Sequence, residues 1–147
     1  MDGMVSGEFH VRPLNTVNAT IELHDSIVAE ITERYGEVII HFRPAYLHKS
    51  EDRPGVDAGT GWVQEARLVF MGASVGGSVP DLPCAVMDGE LVVGTEQHDN
   101  QIPVPFAIAA HTELRIIFDS VHTVTVNGQG VRLELLGEPR YVEEFKP

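Results

Sequence analysis

The stretch IELHDSIVAEITERYGEVIIHF, residues 21–42, alternates apolar and polar side chains on both sides of a glycine-bearing loop, and this alternation decides the fold class. Ile21, Leu23, Asp25, Ile27, Ala29 and Ile31 share one face of an extended chain, and Glu22, His24, Ser26, Val28, Glu30 and Thr32 share the other. Gly36 supplies the backbone freedom for a loop over residues 33–36, after which Val38, Ile40 and Phe42 form the next inward row. That loop sets Ile31 opposite Val38, Ala29 opposite Ile40, Ile27 opposite Phe42 and His41 opposite Val28. It also sets Asp25, an acid on the oily row, opposite Pro44, where a residue without an N–H ends the ladder.

The same period of two recurs downstream. Trp62, Gln64, Ala66, Leu68 and Phe70 form one row, and Asp88-Gly89 between CAVM and ELVV has the chemistry of a two-residue hairpin turn. With a loop at residues 119–121, Phe118 faces His122 and Ile116 faces Val124. With NGQG as the next loop, Val126 faces Val131, Val124 faces Leu133 and His122 faces Leu135. EPRYVEEF closes the chain as a short helix from Pro139 or as an extended edge segment. About eight or nine short strands, with turn signals every 8–12 residues, define an all-β, antiparallel sandwich or barrel.

The chain of 147 residues is read as one domain, 1–147, with residues 1–18 a loose arm or an edge strand. Its net charge of −12 repels phosphate backbones and anionic headgroups, so nucleic acid and membrane surfaces are not expected partners. A basic protein or a metal cation is. One cysteine, Cys84, forms no internal disulfide and reads as a small core residue; no charged stretch followed by a long apolar run opens the chain, so the cytoplasm is the expected compartment.

Seven histidines stand against that single cysteine. Histidine with carboxylate is a ligand set for zinc, iron, manganese or nickel, but no HExxH or His-x-His is present. His24 and His41 are expected on the polar face of the first hairpin, His48 and His98 in loops, and His10 in the arm. Asp25 and His122 are the polar residues that the pattern turns inward; if the first and last hairpins face each other they form a carboxylate–imidazole pair, serving as a structural lock, a general base or half a metal site. HDN, with His98 and Asp99, sits ahead of two prolines and makes a second polar cluster. The long polar connection at residues 48–61 carries three glycines without the Lys-Ser or Lys-Thr of a phosphate loop. No GxSxG elbow is present, and HDS residues alternate between faces, so they make no triad among themselves.

The chain resembles small bacterial proteins of unknown function that open with an L-H-D-S strand, here residues 23–26, and end with L-L-G-E-x-x-Y-V-E-x-F, here residues 135–145. The resemblance implies a bacterial origin and transfers no catalytic residue. The leading expectation is a non-enzymatic module that binds a partner protein or itself, motivated by the charge and by Val28 and Ile39 on a polar face; an acidic partner for a basic toxin or nuclease, as in immunity proteins, is one form. The alternative is a small metal-binding protein or metal-dependent enzyme using Asp25 and His122, with His24 or His98. A barrel with an apolar ligand site inside is a third.

Overall fold

The computed structural model describes residues 18–54 and 56–146, so His10 and nearly all of the expected amino-terminal arm lie outside them. The described chain is all-β: β1 (Asn18–Glu22), a 3-10 turn (Leu23–Asp25), β2 (Ile27–Arg34), β3 (Glu37–Ser50), β4 (Gly59–Met71), β5 (Ser74–Gly77), β6 (Cys84–Val93), β7 (Glu96–Asp99), β8 (Gln101–Val104), β9 (Ala107–Ile108), β10 (Thr112–Phe118), β11 (Thr123–Gly128) and β12 (Gly130–Phe145). These strands outnumber the eight or nine expected. Much of the excess comes from short rim strands such as β5, β7, β8 and β9. Among the described residues no helix is long and apolar enough to cross a membrane.

All pairings are antiparallel, and they run round one core. One sheet holds β12, β4, β3 and β2, with β1 and β8 beside the second half of β3; the other holds β6, β10, β11 and β5, with β7 on its edge. They join where β2 meets β6, through Ile27 with Ala85 and Val28 with Cys84. At the opposite margin β4 runs on into β5 and β11 into β12, and the two crossings are tied by the Gln129 N–H donated to the Met71 carbonyl at 2.8 Å. The inward rows Val38, Ile40 and Phe42, Ala66, Leu68 and Phe70, and Ile116, Val124 and Val126 meet in a single buried cluster. Burying each such side chain contributes roughly 1.5–3 kcal/mol, and this is the main force closing the two sheets.

Several registers depart from the sequence pattern, each for a local reason. Residues 21–31 are not one strand. The 3-10 turn interrupts them and resets the alternation, so Asp25 is exposed and Ser26, not Asp25, is buried where β1 gives way to β2. Ser26 donates its hydroxyl to the Glu22 carbonyl at 2.8 Å, accepts the Tyr46 N–H at 2.9 Å, and gives its own carbonyl to the Val86 N–H. The first hairpin turns on two residues, Tyr35 (φ 54°) and Gly36 (φ 77°), so Arg34 pairs with Glu37 and Ile31 with Ile40. A bulge at Ala29 then sets Val28 opposite Phe42 and His41 opposite Glu30. Val28 is therefore a core residue and not part of an exposed binding face.

Asp88 and Gly89 do not turn the chain. They lie inside β6, opposite Ile117 and Ile116. A Cβ on Gly89 would stand 2.7 Å from Leu23 Cδ1 and 3.0 Å from the Arg115 carbonyl, so glycine is required by the 3-10 turn packed over it. The turn comes later, at Gly94 (φ 60°) and Thr95, before β7. The loop of NGQG also differs: β11 and β12 separate into different sheets at Gln129, so Val126 pairs with Leu114 and Val75, and Val131 with Phe70 and Ile108. The end of the chain is strand, not helix, because residues 140–145 pair with β4. The polar connection is shorter than expected, since β3 extends to Ser50 and β4 starts at Gly59.

Candidate functional site

A second bulge, at Arg43 and Pro44, builds the most polar part of the fold. Before it the even residues of β3 (Val38, Ile40, Phe42) face the core; after it the odd residues Ala45 and Leu47 do. Tyr46 and His48 are thereby moved to the outer face, beside Glu22 of β1, which pairs with Tyr46. They are buried there all the same, Tyr46 at 6% and His48 at 4% exposure, because the end of β12 folds over them. The Phe145 ring lies 4.6 Å from the His48 ring, and Gly61 leaves the slot in which the Tyr46 hydroxyl reaches Glu143.

Three carboxylates surround this phenol. Glu143 accepts its hydrogen bond at 2.5 Å, Glu22 pairs across the ladder and lies 3.2 Å from His48 Nδ1, and the charge of Asp25 also acts on it. The Tyr46 hydroxyl is pushed far above its ordinary range, first by burial, then by the Glu143 hydrogen bond and the charges of Glu143, Glu22 and Asp25. His24 bridges the outer part: its Nε2 lies 3.0 Å from Asp25 and 4.0 Å from Glu22. Ligand-type atoms of Glu22, His24 and Asp25 lie within 4.8 Å of one another.

The tautomer of the neutral His24 ring is set by Asn100. The His24 backbone N–H is donated to Asn100 Oδ1 at 2.8 Å, which turns the amide nitrogen Nδ2 toward the imidazole Nδ1. An amide nitrogen only donates, so Nδ1 accepts and the proton of the neutral ring sits on Nε2, aimed at Asp25. Asn100 is itself fixed at φ 61°, accepting from the Leu23 N–H and donating to the Gly89 carbonyl. His24 is thus presented as a hydrogen-bond donor; as a nitrogen ligand through Nε2 it would need the Asn100 contact broken.

The remaining expected residues are dispersed. His122 is exposed in the turn after β10, with its Nδ1 2.9 Å from Ser120 Oγ, so it is not on an apolar row and does not join Asp25. Asp25 likewise points outward, which removes the inward Asp25–His122 pair. His41 lies on the outer face of β3, where Glu65 accepts from it and from Arg43; these bonds, His41 first, hold the Glu65 carboxyl below the usual range. His98 and Asp99 belong to strand β7 and not to a loop, with Glu96 3.4 Å from His98 and Gln97 donating to Asp99 at 3.0 Å. His48, expected in a loop, is a buried strand residue.

Glu22, Tyr46 and Glu143 were not legible as site residues, because a bulge and pairings between distant strands assemble them; Asn100 belongs to the HDN cluster, but its contact with His24 comes only from the fold. Residues 23–26 bring His24 and Asp25 to this place, and the end of β12 brings Glu143. Comparison with protein-family models, curated proteins and solved structures finds no significant match to this chain.

Proposed function

We propose that this protein is a non-enzymatic, cytoplasmic binding module that recognises a basic segment of a partner protein through Glu22, Asp25 and Glu143. One observation carries the reading. Five of the seven described arginines are matched to acids elsewhere, Arg43 with Glu65, Arg53 with Asp57, Arg67 and Arg132 with Glu134, and Arg115 with Glu90, and among the described residues no lysine or arginine is ion-paired with these three carboxylates. Their contacts are His24, His48 and Tyr46. A guanidinium or ammonium group supplies the missing charge, and the −12 field speeds its encounter. The lone thiol of Cys84 suits a reducing compartment.

The convergence of Glu22, His24 and Asp25 favours a second reading, a metal site. The Nε2 proton of His24 weighs against it, since a metal needs that lone pair. Calorimetric titration with capped lysine- and arginine-bearing peptides, and separately with Zn²⁺ and Mn²⁺, distinguishes the two. Peptide binding that weakens roughly three- to tenfold in Asp25→Asn and falls with added salt supports the module. Stoichiometric metal binding lost in the same variant, with peptide affinity unchanged, overturns it in favour of the metal.

A further inference from the structure

We infer that the partner binds as an extended basic strand added to the free edge of β12 at residues 141–145. The inference rests on the recognition of a basic segment proposed above and specifies how that segment is held. β12 pairs with β4 on one side; on the other, β9 covers only Val131 and Arg132, and the Phe106 carbonyl takes the Leu133 N–H. Beyond Leu133, no strand among the described residues lies against this side. Such an edge carries a row of backbone donors and acceptors that a second chain can complete.

The middle of the edge is guarded. Residues 137–139 bulge out of the pairing, Gln64 holds the Gly137 carbonyl at 2.8 Å, and Pro139 has no N–H to offer. Residues 141–145 are interrupted only by a one-residue bulge at Val142, hold no proline, resume their pairing with β4 at Glu143–Phe145, and expose apolar surface, Tyr141 at 56% and Val142 at 46%. Charge selects the occupant. Glu143 and Glu144 stand on this segment between Arg140 and Lys146, and Glu143 reaches the Tyr46 cluster, so an added strand whose lysine or arginine falls opposite residues 143–144 meets two acids there. A second copy paired symmetrically about residues 143 and 144 would set the same two glutamates against each other, which like-charge pairing disfavours.

The test uses the full-length protein and a short capped peptide of alternating lysine and valine, beside the same peptide with alternate backbone amides N-methylated. Methylation leaves charge in place and removes the strand's donors. The expected result is slowed amide exchange within residues 141–145 on adding the unmodified peptide, and roughly tenfold or greater loss of affinity on methylation. Equal binding of both peptides, with exchange in residues 141–145 unchanged and affinity still weakened in Asp25→Asn, overturns strand addition and leaves the carboxylate reading standing. Binding of neither peptide overturns both.

Discussion

Asn100 grips His24 twice, accepting its backbone N–H and donating to its ring. The side chain, not the backbone, sets the tautomer, and glycine adopts φ 61° without strain. In Asn100→Gly the fold is retained and the ring is released. Nitrogen-15 spectra of the imidazole should show the Nε2-protonated form in the native protein and a mixture of tautomers in the variant. A native ring protonated at Nδ1 would restore the metal reading.

Ser26 is 1% exposed and ties three elements together. Alanine there leaves the Tyr46 N–H unsatisfied next to the core. We expect Ser26→Ala to destabilise the protein by about 1–3 kcal/mol in urea unfolding, with an unchanged urea slope.

A Cβ at Gly61 would fall 2.0 Å from the Tyr46 hydroxyl, so Gly61→Ala must expel the phenol from Glu143. The native Tyr46 proton is held well above the free phenol's value of about 10. Because the folded-state value is raised, the stabilisation is complete below about pH 10 and is lost as pH rises from there toward the folded value. Ultraviolet titration should find Tyr46 silent as pH passes the free phenol's value of about 10, and Gly61→Ala should bring its ionisation back toward that value. Glu143→Gln should bring it back only part of the way, since burial is the larger cause.

The acid side of the stability curve is set elsewhere. Glu65 is held low by His41 and then Arg43, Asp57 by Arg53, and Glu134 by Arg132 and Arg67. A depressed carboxyl contributes stability that is present above its unfolded value, about 4, and is lost as pH falls through the folded one. Carbon-13 titration of the glutamate carboxyls should place Glu65 below free glutamate, and Arg43→Ala with His41→Ala should raise it. An unshifted Glu65 would contradict the geometry of that pair.

The fold class could be read from period-two rows alone. Ala66, Leu68 and Phe70 enter the core as their spacing requires, and Ile116 meets Val124 because residues 119–121 do form the turn. What escaped the pattern are the places where the phase changes without an apolar signal: the 3-10 turn at Leu23, the extra residues at Ala29 and at Arg43 with Pro44, and the crossing at Gln129. Asp88-Gly89 misleads because glycine makes room for Leu23 as readily as it turns a chain. His24 and Asp25 were visible candidates as residue types, but their partners Glu143 and Asn100 lie so far along the chain that only the folded pairing reveals them.

The placement of β1 has a consequence for how the molecule is made. Residues 18–22 lie between β3 and β8, so the strand emerging first among those described receives its second neighbour only when residues 101–104 have left the ribosome. Closing a loop of that length carries an entropy cost that grows as the logarithm of its span, and pairings so distant slow all-β folding. During synthesis β1 therefore keeps one side unpaired until residues 101–104 emerge, and the Asn100 clamp that fixes the HDS turn waits for the same part of the chain.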